Sequence, residues 1–147
     1  MDKFPIDILQ YHIFTNLDFL SQIRFRQVCK WFYRLEIHDM RNIDKKYLYR
    51  ITDEILNCYL NVKYLDISNN NNVTSVNKMT KLQILDAPGN CGVDDNGIKD
   101  INLVELHAPD NPKITNVNHM TKLQILDASS TSGIIDDGIK AINLSII

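Results

Sequence analysis

Nine residues, Met79-Thr-Lys-Leu-Gln-Ile-Leu-Asp-Ala87, return letter for letter as Met120 to Ala128, 41 positions further on. A repeat at this distance points to stacked copies of one structural unit. A weaker copy, Leu103-Val-Glu-Leu-His-Ala108, lies between the two and splits the period into units of 20 and 21 residues. Val62-Lys-Tyr-Leu-Asp-Ile67 precedes them and Leu144-Ser-Ile-Ile147 follows. Aligned, the copies read L-x-x-L-x-A/I-x-x-N/T, with Asn70, Asn90, Asn111 and Thr131 in the last place.

Apolar residues alternating with period two make a short strand with one buried face, and one such strand cannot shield itself from water. Stacking does so. Leu65, Leu85, Leu106 and Leu126 then form one inward row, Ile67, Ala87, Ala108 and Ala128 a second, and Val62, Leu82, Leu103 and Leu123 a third. The phase is that of a leucine-rich repeat. The expected fold is α/β, a right-handed leucine-rich-repeat solenoid with a parallel β-sheet of about five short strands near 62–67, 82–87, 103–108, 123–128 and 144–147. Where each strand ends the chain turns beneath its neighbour, and Asn70, Asn90 and Asn111 are expected to satisfy the backbone groups covered there. On the return side, Ile51-Thr-Asp-Glu-Ile-Leu56, Val93-Asp-Asp-Asn-Gly-Ile98 and Ile135-Asp-Asp-Gly-Ile139 predict short helices, with Asp94 and Asp136 as N-caps. The alternate units, with Val73-Thr-Ser-Val76 and Ile114-Thr-Asn-Val117, predict irregular or 3₁₀ returns. Pro88 and Pro109 fall just after their strands, where no ladder donor is needed.

With 147 residues, 44% of them apolar, and a net charge of −2, the chain has the composition of an ordinary soluble protein. No apolar run near the start is long enough for a signal peptide or a spanning helix, so no membrane association and no secretion are expected. Cys29, Cys58 and Cys91 are too few and scattered for a disulfide framework or a zinc site. Charge is uneven. The first 50 residues carry all five arginines and nine basic against six acidic groups, whereas residues 51–147 hold seven lysines against twelve carboxylates. The heavy use of Asn and Ile reflects coding bias more than mechanism.

The N-terminal segment has a different period. Ile6, Leu9, Ile13 and Leu17, then Leu20, Ile23 and Val28, are three to five apart, with breaks near Asn16 and Asp18. They predict helices, the second capped by Asp18, and Val28-Cys-Lys-Trp-Phe-Tyr-Arg-Leu35 predicts a third. Three such helices bury too little surface to be stable alone. Phe4-Pro5, Ile8-Leu9, Ile13-Phe14, Leu17, Leu20, then Val28-Cys29-Lys30-Trp31-Phe32 and Leu35 resemble an F-box, the trihelical motif that recruits substrate receptors to cullin-RING ubiquitin ligases. The likeness covers residues 4 to about 38. It departs from the family at Phe4, where Leu is usual, and in lacking a Pro near Asp18.

With the repeats behind it, the chain resembles the F-box/leucine-rich-repeat receptors, and its brevity and Asn/Ile bias resemble the short versions encoded by giant amoeba-infecting DNA viruses. The resemblance implies an F-box-like segment over 1–40, a linker over 41–50 and a repeat solenoid over 51–147. It implies docking of a Skp-type adaptor of the cullin ligase through Pro5, Ile8, Leu9, Ile13, Val28 and Trp31, in the cytoplasm or nucleus of a host cell. It also implies a protein substrate on the repeats. The alternative left open by pattern alone is that the helices only cap the repeats.

The residues between the inward leucines face solvent on the concave side. One column is Asp66, Asp86, His107 and Asp127, and the other is Tyr64, Ile84, Glu105, Ile125 and Ile146. Like charges side by side and exposed isoleucines both weaken a fold, which points to a surface for a basic, partly apolar partner. Neither a metal, another cofactor nor a catalytic centre is expected from these residues, because an open sheet does not converge ligands and no nucleophile accompanies them. Lys45, Lys46, Tyr47, Tyr49 and Arg50 are read as a solvated connector, with no nucleic-acid role. His12, His38 and His119 stand singly. Residues 144–147 would leave an exposed edge strand, open to self-pairing.

Overall fold

Alternating Tyr64-Leu65-Asp66, Ile84-Leu85-Asp86, Glu105-Leu106-His107 and Ile125-Leu126-Asp127 all form strands in a computed structural model, which describes residues 10, 14–28 and 36–142. A fifth strand comes first. The order along the chain is a 3₁₀ turn (Phe14–Asn16), helix α1 (Phe19–Val28), strand β1 (Asp39–Met40), α2 (Lys45–Leu48), α3 (Asp53–Leu56), β2 (Tyr64–Asp66), β3 (Ile84–Asp86), α4 (Asp95–Ile98), β4 (Glu105–His107), β5 (Ile125–Asp127) and α5 (Asp136–Ile139). The class is α/β. The strands form one sheet in sequence order, every neighbouring pair parallel.

The three inward rows are buried as their spacing predicts, except for the last members of two of them, Leu126 and Ala128, which are partly exposed. Leu65, Leu85 and Leu106 have no exposure, nor do Ile67, Ala87 and Ala108, and Val62, Leu82, Leu103 and Leu123 are at most 4% exposed. Behind them lie two kinds of return. Val73, Val76 and Met79 recur as Ile114, Val117 and Met120, all buried on stretches without helix. Val93, Ile98 and Ile101 come from the other kind, which holds the one-turn helix α4. In the last unit Leu126, Ile134, Ile139 and Ile142 are only partly buried, because among the described residues nothing further covers them.

Three expectations need correction. The segment 41–50, expected as a linker, belongs to the packed structure: β1 pairs with β2, and Ile37, Met40, Ile43, Leu48 and Ile51 are all buried. Ile37 and Met40 stand where Val62 and Leu65 stand in the next unit, so the sheet starts at Asp39 rather than after residue 51. Secondly, Asp94 caps α4 by accepting from the Gly97 N–H at 2.9 Å, but Asp136 does not cap α5; that place is taken by Ile135, which has no side chain for it. Asp136 sits where Asp95 sits, and Asp95 reaches across units, accepting from the Thr115 N–H (2.7 Å), the Thr115 hydroxyl and the Asn116 N–H (3.1 Å). Asp53 makes the same clamp on Thr74 and Ser75.

Thirdly, the asparagines alternate in role. Asn70 is 1% exposed and donates to the Leu48 and Ile51 carbonyls at 2.6 and 3.0 Å, while its own oxygen accepts from the Asn72 and Val73 N–H groups. Asn111 is wholly buried and bonds the Ala87 carbonyl. Asn90, at the equivalent place, is exposed, and the next residue, Cys91, is the one turned inward with no exposure. The residue before each of these positions has a positive φ: Asn69 54°, Gly89 67°, Asp110 57° and Ser130 60°. The turn is therefore shared, and only the side chain buried beside it differs between units.

Of the N-terminal helices, α1 starts at Asp18, whose carboxylate accepts from the Ser21 N–H at 3.0 Å and from its hydroxyl. Those two bonds, the hydroxyl first, hold the Asp18 carboxyl below its ordinary range. Phe14 is fully buried in the same core as the strands, and its ring meets Phe25 at 6.2 Å between centroids. Gln10 exchanges two side-chain bonds with the backbone of Glu36, just before β1. The expected first and third helices, and the strand over 144–147, lie outside the described residues.

Candidate functional site: the outer face of the sheet

The face of the sheet turned away from the core is set by the same alternation that sets the core. Strand register places Asp39, Tyr64, Ile84, Glu105 and Ile125 in one column across the five strands. Asp66, Asp86, His107 and Asp127 form the other, with Arg41, just past β1, ahead of them. Neighbouring side chains in a column are about 4.8 Å apart along the sheet. Tyr64, Asp66, Ile84, Asp86, Glu105, His107 and Asp127 are partly exposed and Ile125 is 38% exposed, so eight of the nine expected face residues are reachable from solvent, and the ninth, Ile146, lies outside the described residues.

Asp39 and Arg41 were not foreseen. Their unit lacks the Leu-x-x-Leu motif and stands further from the next one, and the available signal was Ile37-x-x-Met40 with Ile43 after it. Arg41 forms a 2.7 Å ion pair with Asp39 and lies 4.5 Å above the centre of the Tyr64 ring. Its charge is thus engaged at the β1 end of the face, and it acts on Asp86 further along only at a distance. Among the described residues the face carries five carboxylates against this one guanidinium.

The four members of the acidic column do different work. Asp66 accepts from the backbone N–H of Ser68 at 2.8 Å, and Asp127 from that of Ser129 at 3.1 Å, each closing the turn that leaves its strand. The Ser129 hydroxyl and N–H hold the Asp127 carboxyl below its ordinary range. Asp86 and His107 have proline two positions on, Pro88 and Pro109, and proline has no N–H to give. The turn still forms, because the two proline carbonyls accept from Asn69 and Gly89 in the preceding units. What is lost is the use for the side chain. Asp86 receives no hydrogen bond from the described residues. Its nearest partner is His107, Nε2 to carboxylate 3.9 Å, and His107 stands 3.7 Å from Glu105. Burial pushes the Asp86 carboxyl above its ordinary value; His107 and Arg41 oppose that shift, while Asp66 and Glu105 add to it.

The remaining expected site residues cannot be placed as a group. Pro5, Ile8, Leu9, Ile13 and Trp31 lie outside the described residues, and of Val28 only its position at the end of α1 is described. Clefts flank α1 where it meets the first units, one among Ile23, Arg26, Gln27, Cys58 and Tyr59, the other among Asp18, Leu20, Asn42, Ile43 and Asp44. His38 and His119, expected to stand singly, bond the Asn61 and Ile98 carbonyls. Cys58 is an exposed free thiol and Cys91 a buried one. Among the described residues no group of His, Cys, Asp and Glu is placed to hold a metal ion, and no helix is long and apolar enough to cross a membrane. No family model matches the chain, and no curated protein or solved structure matches it.

Proposed function

We propose that the chain is a non-catalytic substrate receptor of the F-box/leucine-rich-repeat kind. Its N-terminal segment docks a Skp-type adaptor of a cullin-RING ubiquitin ligase, and the outer face of its repeats holds a protein substrate. The observation that carries the reading is the outer face itself. Two columns from five parallel strands put an exposed isoleucine, Ile125, and the partly exposed Ile84 and Tyr64 beside like-charged carboxylates, an arrangement that folding does not require and that protein surfaces use for contact. The F-box half of the reading rests on the sequence resemblance through Pro5, Ile8, Leu9, Ile13, Val28 and Trp31. The described residues of the face set carboxylates and an imidazole beside apolar side chains, a combination suited to recognition.

A second reading is favoured by one structural feature. Phe14 is buried in the common core, and Gln10 is bonded to Glu36 beside β1, as in a segment that caps the open end of a stack. On that reading the chain is a free-standing leucine-rich-repeat scaffold, or a decoy, with no ligase role. Co-purification with a Skp-type adaptor and cullin separates the two. The receptor reading predicts capture by the full chain and its loss in the triple variant Pro5→Ala, Leu9→Ala, Trp31→Ala with the circular dichroism and melting of the repeats retained. Failure of the unaltered chain to bind purified adaptor overturns it in favour of the scaffold.

A further inference from the structure

We propose that the outer face receives a basic polypeptide segment, with the carboxylates of Asp86 and Glu105 on either side of His107 taking one lysine or arginine side chain, and Ile84 and Ile125 taking its apolar neighbours. This inference rests on the reading of that face as a binding surface and names the chemistry of its occupant.

Three observations lead to it. Asp86 is the one aspartate of its column with no turn to close, since Pro88 removed the N–H that its equivalents Asp66 and Asp127 use. It is also partly buried, and among the described residues its nearest polar partner is the His107 imidazole at 3.9 Å, longer than a hydrogen bond. A carboxylate so placed lacks the donors that would compensate its lost hydration, and an incoming ammonium or guanidinium supplies them. The second observation is charge. The charged groups that act on Asp86 are Asp66 and Glu105, which are acidic, His107, and Arg41, which is already paired with Asp39. Complementarity therefore calls for a cation. The third is the apolar column. In register, Glu105 lies between Ile84 and Ile125, so the site for the cation is bracketed by two isoleucines, with Tyr64 next in line. A polyamine or free metal ion leaves that column uncovered, and nucleic acid is repelled by the carboxylates. A peptide with a basic residue between apolar ones covers both.

The test is selection of a random-peptide display library on the full-length chain, then titration of the enriched peptides against the unaltered protein, Asp86→Asn and Ile84→Ser. Peptides carrying Lys or Arg beside apolar residues are expected, weakened on the order of tenfold or more by Asp86→Asn and further by added salt. No enrichment, or enriched peptides that are neutral or acidic, or basic ones indifferent to Asp86→Asn, overturn the proposal. The variants also tell the two readings apart. Neutral peptides weakened by Ile84→Ser leave the outer face as a binding surface and remove only its basic partner, whereas peptides indifferent to both substitutions remove the surface as well.

Discussion

Asn70 and Asn90 are the same letter at the same place in the repeat, and they meet opposite surroundings. Asn70 makes four hydrogen bonds to backbone groups under cover, whereas Asn90 lies in solvent. Replacing Asn70 by Ala leaves the Leu48 and Ile51 carbonyls and two N–H groups short of partners, and chemical denaturation should register a loss of about 2–3 kcal/mol. Asn90→Ala should stay within about 0.5 kcal/mol of the original. Equal losses from both would mean that the alternation of the turns is wrong. Asp86 offers the converse case. Its folded carboxyl titrates above its ordinary value, chiefly through burial, so the folded state binds the proton more tightly than the unfolded chain. Stability from this group is gained as pH falls through the raised value toward the ordinary one, and above that window the ionised form is a constant cost. Asp86→Asn at neutral pH should therefore melt no lower than the original, with a gain of up to about 0.5 kcal/mol, and should flatten that part of the stability–pH curve.

At the level of the element, the one-turn helices owe their place to contacts across units more than to their own propensity. A four-residue helix is far below the length that holds by itself in water. Gly97 lies inside α4, where Ala is ordinarily the better helix former. Here a Cβ would run into the Thr74 carbonyl of the preceding unit, with the Val93 side chain also near. Gly97→Ala should thus destabilise, by roughly 1–3 kcal/mol, against the sign that propensity alone predicts. The clamp from Asp95 to Thr115 and Asn116 is the matching attraction, and Asp95→Ala should lower stability by about 1–2 kcal/mol in the same denaturation assay. Both helix positions were legible in the Asp-Asp-Asn-Gly and Asp-Asp-Gly strings. The division of work between the adjacent aspartates was not, because one of them bonds within its own turn and the other bonds the next unit.

For the molecule as a whole, each unit touches its neighbours, and an uncovered end row is the weak point of such a stack. Phe14 belongs to the common core, with Leu17, Ile23 and Phe25 packed against it, and α1 borders the first units. Phe14→Ala should cost on the order of 3 kcal/mol and lower the melting temperature of the entire sheet, because the loss is at the cap of a shared core. A variant that melts in two steps, the sheet unchanged, would show that the N-terminal segment is an independent body. The other end, where Leu126 and Ile139 are only partly buried, should exchange its amide hydrogens faster than β2 and β3.

The strand positions of Tyr64, Ile84, Glu105 and Ile125, the faces their side chains take and, apart from Asp39 and Arg41, the composition of the outer columns were written in the chain, because alternation along a strand is a local property and a duplicated stretch repeats it faithfully. Met40 shows where that legibility ends: it does the work of a repeat leucine without the motif, and only its pairing with Leu65 reveals it. Whether Asn90 or Cys91 turns inward, which of two adjacent aspartates bonds across units, and whether a methyl group at Gly97 has room depend on how units about twenty residues apart in the chain pack together. Such contacts leave no periodic trace, since they depend on how two copies lie against each other rather than on either copy alone.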